Sequence, residues 1–206
     1  MITPREFWNM RAEGYDQGSG EQYARAYDRT VELTLNYLKP GDRVLEFACG
    51  TGLTTARIAP RVARVRAIDI SDGMVAKARA RLAGLPNVEL SRTDLFDPCL
   101  EEGSFDAVTA FNVLLYVEDR AGVLARIRAL LRPEGMFLSA TDCLGEGITR
   151  VGLKKFWKSR TGSMPYVAFD TKKKLERDIA AAGFTVLERE NLYPAPPNLF
   201  VAARKS

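Results

Sequence analysis

The sequence predicts an α/β fold in which a mostly parallel β-sheet is covered by helices on both faces. Short apolar runs alternate with helical patterns from residue 43 to residue 142. A glycine-containing turn joins the first apolar run to the helix that follows it. After residue 170 the alternation ends in one helix and two strands that are joined across a proline-rich turn. The last strand is expected to be antiparallel, because a parallel partner needs a crossover of about a dozen residues.

Periodicity and turn residues set the bounds of each element. The first long helix, 21–38, carries Tyr27, Val31 and Leu35 at helical spacing and ends at Lys39-Pro40-Gly41. Ser71 is a suitable N-cap for the third helix. The later elements are strand 43–47, helix 51–59, strand 64–69, helix 71–83, strand 88–92, strand 107–111, helix 119–131, strand 136–141, helix 171–182 and strands 184–190 and 198–204.

Length and composition indicate a single globular domain. The chain has 206 residues, of which 46% are hydrophobic and 27% are charged, as is usual for such domains. It contains no histidine, which excludes histidine-based catalytic triads. Its three cysteines are odd in number and lack metal-ligand spacing. We therefore expect no metal and a reducing, cytoplasmic location.

Positive charge is concentrated in one segment of the chain. Residues 150–174 carry eight basic side chains and one acidic side chain, a net charge of +7. Because the whole chain has a net charge of +4, the remainder is at −3. This segment is therefore the part of the chain that suits an anionic partner.

The most informative segment is Val44–Gly52 (VLEFACGTG), with Asp69 at the end of the second predicted strand. Asp69 lies 17 positions after Gly52. A glycine turn lets backbone N–H groups approach a ligand closely, and a carboxylate at the end of the second strand receives ribose hydroxyls. These residues predict a nucleoside-binding site.

Three further residues indicate which nucleoside is bound. A dinucleotide-binding fold has the pattern G-x-G-x-x-G, but Thr55 occupies the position of the third glycine. Glu46 precedes the glycines and could meet a positively charged amino group. Asp94 ends the third strand and could accept a hydrogen bond from an adenine amine. Together they predict a ligand with a ribose, an adenine and a zwitterionic amino-acid tail.

These ordered motifs resemble those of the class I S-adenosylmethionine-dependent methyltransferases. The matching segments, in chain order, are Glu46–Gly52, Asp69, Asp94, Phe105–Asn112 and Leu130–Met136. Ala48 departs from the pattern, because many members have glycine at that position. The resemblance covers residues 40–142 and the closing strand pair. It implies a Rossmann-like, doubly wound sheet of seven strands, mostly parallel with an antiparallel last strand.

The resemblance also implies a donor, S-adenosyl-L-methionine, and a product, S-adenosyl-L-homocysteine. The motif residues would surround the donor's tail and ribose, its adenine and its sulfonium in turn. The implied donor-binding residues are Glu46, Ala48, Cys49, Gly50, Thr51, Gly52 and Asp69 for the tail and ribose, Ile70, Met74, Asp94 and Leu95 for the adenine, and Tyr15, Phe111 and Asn112 near the sulfonium.

Plainer interpretations of the same residues remain open. Gly50 and Gly52 could serve only the turn, and Asp69 could only cap a helix. Met74 and Leu95 could be ordinary core residues. At the level of function, the alternatives from other classes are a non-catalytic S-adenosylmethionine-binding module and an NAD-binding oxidoreductase.

Two segments beside the predicted donor-binding core, 39–143, are expected to cover the methyl acceptor. Residues 1–38 form an N-terminal helical lid, although a plain surface helix is the alternative interpretation. Residues 144–170 form an insertion ahead of the closing helix and strand pair, 171–206. Within the insertion, residues 153–160 form a basic amphipathic helix that suits an anionic substrate or membrane surface, or a lid with a packed apolar face and solvated lysines.

The candidate acceptor-site residues come from these two segments and from the ends of the central strands. The candidates for substrate binding are Trp8, Tyr116, Lys154, Lys155 and Trp157, and the candidates for catalysis are Tyr15, Tyr116 and Asp142.

We expect transfer of a methyl group to nitrogen or oxygen of a small molecule or lipid headgroup, in its specific form a phosphatidylethanolamine-like one. Phe111–Leu114 replaces the Asn-Pro-Pro-Tyr that is typical of enzymes acting on exocyclic amines. An RNA methyltransferase is the next alternative, because the basic segment could contact phosphates. Without an appended binding domain, that segment is small for nucleic acid. Peripheral contact with an anionic inner membrane surface through 153–160, and a monomer or homodimer, complete the expectations.

Overall fold

In the computed structural model, which describes residues 2–18 and 21–206, seven strands alternate with helices. Residues 1, 19 and 20 of the predicted lid lie outside the described residues. The strands are β1 (Arg43–Phe47), β2 (Arg64–Asp69), β3 (Val88–Arg92), β4 (Phe105–Phe111), β5 (Leu131–Asp142), β6 (Phe184–Pro194) and β7 (Pro197–Lys205). The α-helices are α1 (Pro4–Arg11), α2 (Glu21–Leu35), α3 (Thr55–Ile58), α4 (Asp72–Leu82), α5 (Arg120–Leu130), α6 (Arg150–Arg160) and α7 (Lys172–Ala181).

The strands form one sheet with the order β3-β2-β1-β4-β5-β7-β6. Strands β1 to β5 are parallel to one another. Strand β7 runs antiparallel to both β5 and β6. The predicted Rossmann-like, mostly parallel sheet with an antiparallel last strand is therefore confirmed. The strand order reverses between β1 and β4, and ligands of open α/β sheets bind at the carboxyl ends of strands at such a point.

Three predicted elements differ clearly in length. Strand β5 begins at Leu131 instead of residue 136, and β6 extends to Pro194 instead of residue 190. The helix expected at 51–59 is reduced to α3, followed by a 3₁₀ turn at Ala59–Arg61. Gly50 and Gly52 have φ angles of +57° and +79°, which are incompatible with a right-handed helix. The helix can therefore begin only after the glycine turn.

Polar side chains cap the helices that flank the predicted donor site. Ser71 Oγ accepts a hydrogen bond from the Met74 N–H at 3.1 Å, which confirms Ser71 as the N-cap of α4. Asp119 and Thr171 cap α5 and α7 in the same way, one residue ahead of each helix. Such caps satisfy backbone donors that the first helical turn leaves without partners.

Buried apolar side chains fill both faces of the sheet. On one face Leu124, Ile127 and Ile179 from α5 and α7 belong to the same cluster as Phe137 of β5. On the other face Leu33 of α2 packs with residues of β5 and β7. None of the described helices combines the length and the apolar character needed to cross a bilayer.

A nearly buried ion-pair network joins the end of the insertion to α5 and α7. The Arg120 guanidinium, 8% exposed, lies 2.5 Å from Asp170 and 2.9 Å from Asp178. We expect Arg120→Met to lower the free energy of unfolding by roughly 3 kcal/mol, because two poorly solvated carboxylates lose their buried partner and keep only the more exposed Lys174. Urea denaturation measures this loss. The exposed pair of Arg57 and Asp28 provides the control, since Arg57→Met should change stability by less than about 1 kcal/mol. Equal effects of the two variants would contradict the network's role.

Candidate functional site

Two adjoining cavities open at the carboxyl ends of the parallel strands. The smaller cavity has a volume of about 250 Å³ and is lined by residues at the ends of β1, β2 and β4 and after β3. The larger cavity, of about 570 Å³, is lined by α1, α2, α6 and the end of β5. Trp8, Tyr15, Asn112 and Tyr116 line both cavities. The two spaces therefore meet at these four side chains.

The glycine turn after β1 forms one wall of the smaller cavity. Ala48, Gly50 and Gly52 all have left-handed φ angles, of +58°, +57° and +79°. A Cβ at Gly50 would have no heavy atom within 4 Å, so the turn faces open space at this point. At Gly52 a Cβ would lie 3.0 Å from the side chain of Leu82. Glycine is thus required at Gly52 by close packing against α4 and at Gly50 by backbone conformation.

Asp69 lies at the end of β2 and lines the smaller cavity. Its two carboxylate oxygens accept hydrogen bonds from the Gly50 N–H at 2.9 Å and the Ser71 N–H at 2.8 Å. Burial raises the pKa of Asp69, and these backbone donors oppose that rise. Each carboxylate oxygen can accept a second hydrogen bond. Asp69 can therefore receive two neighbouring hydroxyl groups while it holds the glycine turn in place.

The remaining walls combine apolar side chains with one further carboxylate. Asp94 is exposed, and one of its oxygens accepts a hydrogen bond from the Phe96 N–H at 2.7 Å, which leaves the second oxygen for another donor. The predicted donor-binding residues that line the smaller cavity are Tyr15, Ala48, Gly50, Asp69, Ile70, Met74, Asp94, Leu95, Phe111 and Asn112.

Four predicted donor-binding residues, Glu46, Cys49, Thr51 and Gly52, lie outside the lining of both cavities, and their contact with the donor stays a prediction. The Glu46 side chain is 2% exposed and accepts a hydrogen bond from the Thr54 hydroxyl. The Thr51 hydroxyl donates to Asp16 at 2.7 Å. Cys49 is buried. These residues support the glycine turn on the side away from the cavities.

The buried Glu46 carboxyl makes stability depend on pH. Burial raises the pKa of Glu46 to about 7, although the Thr54 hydroxyl donates a hydrogen bond that opposes the rise. Between pH 4.5 and pH 7 the folded state keeps the proton that the unfolded state releases, so stability falls as the pH rises. The expected loss from Glu46 alone is roughly 3 kcal/mol.

The variant Glu46→Gln isolates this contribution. It keeps the shape of the side chain but cannot titrate, so its unfolding free energy should lack the part of the decrease that Glu46 causes. Urea denaturation of both proteins at pH 5 and pH 8 measures the difference. Identical pH dependence in the two proteins would show that Glu46 is ionised in the folded state throughout this range.

The N-terminal segment lies over the junction of the two cavities. Asn9 of α1 accepts hydrogen bonds from the Ser71 hydroxyl at 2.7 Å and the Gly73 N–H at 3.1 Å. These contacts hold α1 against the start of α4. The Trp8 ring then makes edge contacts with the rings of Tyr15 and Tyr116, at centroid distances of 6.1 and 5.1 Å.

Tyr15, a predicted catalytic residue, lines both cavities but is poorly suited to accept a proton. Its hydroxyl lies 3.5 Å from the hydroxyl of Tyr27. Burial, with a further effect of Tyr27, raises the pKa of Tyr15 well above its usual value. Tyr15 therefore stays a neutral phenol near pH 7.

A hydrogen-bond network connects the two sides of the larger cavity. The Asp142 carboxylate pairs with Lys155 Nζ at 3.1 Å and accepts a hydrogen bond from Asn198 Nδ2 at 2.8 Å. Asn198 Nδ2 also donates to Asn112 Oδ1 at 2.8 Å. Burial lowers the pKa of Lys155, but Tyr116 and Asp142 together outweigh it and raise that pKa. Lys155 is therefore held as a cation beside Asp142.

Helix α6 presents its basic side to the larger cavity. Val151, Lys154, Lys155 and Lys158, which we call the inner face of α6, all line the cavity. Their spacing places them on one side of a helix. The lysines are thus part of the predicted acceptor site, although Lys155 is already paired with Asp142.

The opposite side of α6 contradicts one prediction. The side chains of Arg150, Leu153, Trp157 and Arg160, the outer face of α6, point to solvent, and Leu153 and Trp157 are 49% and 64% exposed. The predicted lid with a packed apolar face is therefore wrong at these two residues, because the cavity takes the lysine side. Trp157 also lies outside the lining of the cavity, and its contact with substrate stays a prediction.

Several cavity residues carried no clear signal in the sequence. Asn198 follows the proline-rich turn, and only the pairing of β7 with β5 brings it to Asp142. Arg11 is the last residue of α1 and faces the larger cavity.

Comparison with known proteins gives consistent results. A family model described as a methyltransferase domain matches residues 45–137. The chain is 30% identical over 212 residues to a demethylmenaquinone methyltransferase of Symbiobacterium thermophilum, and the alignment covers 95% of the chain and 80% of that relative. It is 37% identical over 130 residues to a demethylmenaquinone methyltransferase of Clavibacter sepedonicus, covering 56% of the chain and 53% of the relative. The match thus spans about half the length of the second relative.

Among solved structures, the fold is similar to Haemonchus contortus phosphoethanolamine N-methyltransferase 2 in complex with phosphomonomethylethanolamine and S-adenosylhomocysteine. The TM-score is 0.80 and the sequence identity 18%, with coverage of 100% of this chain and 61% of that one. At this identity the likeness concerns the fold.

Proposed function

Because the chain belongs to the class I S-adenosylmethionine-dependent methyltransferases, we propose that it transfers the donor's methyl group to nitrogen or oxygen of a small-molecule acceptor. The observation that carries this proposal is the junction of the two cavities at Trp8, Tyr15, Asn112 and Tyr116. A donor in the smaller cavity and an acceptor in the larger one would meet there. Holding two reactants in line accounts for much of the acceleration of such a displacement.

The residues of the smaller cavity fit the parts of S-adenosylmethionine. Asp69 has acceptor capacity left for the two ribose hydroxyls. The open space beside Gly50 leaves room for the ribose and tail against the backbone. Ile70 and Met74 supply apolar contact for an adenine, and Asp94 has one carboxylate oxygen for its amino group.

The charge of the larger cavity favours an anionic acceptor. Four of its lining residues are basic, whereas Asp142 is the one acidic residue among the described residues that line it. Lys155 pairs with Asp142. Within the described part of the chain, Arg11, Lys154 and Lys158 have no ion pair with an acidic side chain. These three cations would bind a phosphate or carboxylate of the acceptor.

A lipid headgroup of the phosphatidylethanolamine type is the specific form of this proposal. Its phosphate would lie at Lys154 and Lys158, and its amine at Tyr15, Tyr116 or Asp142. The bound phosphomonomethylethanolamine of the Haemonchus enzyme combines an amine and a phosphate in the same way. The similar fold and the basic residues of the larger cavity together support an acceptor that carries an amine and a phosphate.

Methyl transfer itself needs few groups from the protein. The acceptor's lone pair forms the bond to the methyl carbon while the carbon–sulfur bond breaks and its electrons remain on sulfur. A base is needed only when the acceptor must lose a proton. Of the predicted catalytic residues, Asp142 supplies a carboxylate that could take it, whereas Tyr15 stays a neutral phenol. Trp8 and Tyr116 would position the acceptor and exclude water.

Calorimetric titration with S-adenosylmethionine, S-adenosylhomocysteine and NAD tests the donor part of the proposal. We expect the two sulfur compounds to bind and NAD to bind far more weakly. Tight NAD binding without S-adenosylhomocysteine binding would indicate an oxidoreductase instead. Binding of both sulfur compounds without methyl transfer to any acceptor would indicate a non-catalytic binding module.

A further inference from the structure

The outer face of α6 and the loop just before the helix expose large apolar side chains. Ile148 is 90% exposed, Leu153 is 49% exposed and Trp157 is 64% exposed. Leu153 and Trp157 are four residues apart on the helix and therefore adjacent on its surface. Apolar groups of this size usually mark an interaction surface when they lie together.

The charged residues in the segment that carries this apolar group are all basic. Residues 147–169 contain five basic residues and no acidic residue. Arg150 and Arg160 lie on the outer face itself, and Lys154 and Lys158 are exposed beside it. The acidic residues at the two ends of the insertion are engaged, because Glu146 accepts a hydrogen bond from the Lys172 N–H and Asp170 pairs with Arg120. The surface therefore needs an anionic partner.

We propose that the outer face of α6 docks on an anionic lipid surface. Tryptophan is favoured at the membrane–water interface, where its ring lies at the level of the headgroups. Arginine and lysine beside an amphipathic helix add attraction to anionic lipid. A second copy of this chain is a poorer partner, because self-association would bring two identical basic surfaces together.

Docking in this way has a consequence for the larger cavity. The inner face of the same helix lines that cavity, with Lys154 and Lys158 exposed at its edge. When the outer face lies on lipid, the cavity opens close to the lipid headgroups. An acceptor with an anionic group could then pass from the membrane to the lysines without crossing bulk water.

Fluorescence of Trp157 measures the docking directly. The chain has two tryptophans, so Trp157 is the only one in the variant Trp8→Phe. We expect its emission to shift to shorter wavelength with vesicles of phosphatidylcholine and phosphatidylglycerol. Vesicles of phosphatidylcholine alone should bind roughly tenfold more weakly, or worse. Added salt should weaken binding to the anionic vesicles, because surface charges are screened.

Paired variants in the otherwise unaltered chain identify the surface. Leu153→Ser/Trp157→Ser should lose most of its cosedimentation with anionic vesicles, whereas Leu187→Ser, at an apolar residue of β6 that is 48% exposed, should retain it. Equal binding by the wild-type protein, the double variant and Leu187→Ser would overturn the proposal. So would no binding to anionic vesicles at low salt, or equal binding to neutral vesicles. So would lipid-independent dimerisation that the double variant abolishes. S-adenosylhomocysteine titration of each variant reports folding and the donor site separately, so failure to dock leaves the proposed methyl transfer testable.

Discussion

Replacing Asp69 with alanine is expected to weaken binding of S-adenosylhomocysteine by roughly 5- to 150-fold, equivalent to about 1–3 kcal/mol. The variant loses the carboxylate at the end of β2, where Asp69 is 7% exposed. This carboxylate has acceptor capacity left for two hydroxyl groups. It also removes the acceptor of the Gly50 N–H, which helps to hold the glycine turn. Calorimetric titration measures the dissociation constant.

Two matched variants separate these contributions. Asp69→Asn keeps the shape and one carbonyl acceptor but removes the charge, so it should fall between the wild-type protein and Asp69→Ala. Asp28→Ala removes a carboxylate of an exposed ion pair and should leave the affinity unchanged. An unchanged dissociation constant in Asp69→Ala would remove Asp69 from the donor site.

Reversing the charge of two lysines on the inner face of α6 should raise the KM for an anionic acceptor. In Lys154→Glu/Lys158→Glu we expect an increase of at least tenfold, because hydrogen bonds to charged groups contribute about 1.5–3 kcal/mol each. The value of kcat should change much less, since these residues lie away from the junction of the two cavities. Steady-state kinetics with phosphoethanolamine as the anionic acceptor measure both constants.

The control variant changes the net charge by the same amount and in the same basic segment. Lys172 and Lys173 belong to that segment but lie outside the lining of the larger cavity. Lys172→Glu/Lys173→Glu should therefore keep the KM of the wild-type protein. If both double variants raised KM equally, the effect would come from the overall field of the basic segment rather than from a binding site.

The order of elements was predictable because local rules and the global fold agree. Alternating apolar runs, the cap at Ser71 and the proline-rich turn at the end of the chain all act over short distances. The shortened α3 was less predictable. It depends on the positive φ angles of Gly50 and Gly52, whereas helical propensity alone would extend the helix to residue 51.

The smaller cavity was more predictable than the larger one. Its residues follow strand ends in one stretch of sequence, so the motifs place Asp69 and Asp94 correctly at its wall. The larger cavity is assembled from distant segments, and Asn198 reaches it only through the β5–β7 pairing. For α6, the apolar residues suggested the buried side. The lysines face the cavity instead, since the polar Asp142 and Tyr116 lie on that side.

The most direct test of the central claim is transfer of tritium-labelled methyl groups from S-adenosylmethionine to paired acceptors. Each pair joins an anionic compound to its neutral counterpart, such as phosphoethanolamine and ethanolamine, with further pairs among lipids, small amines and phenols, and RNA as a separate sample. We predict label on an anionic small-molecule or lipid acceptor, and far less on its neutral partner. Label on RNA alone, or on no acceptor although S-adenosylhomocysteine binds, would contradict methyl transfer to a small molecule at the junction of the two cavities.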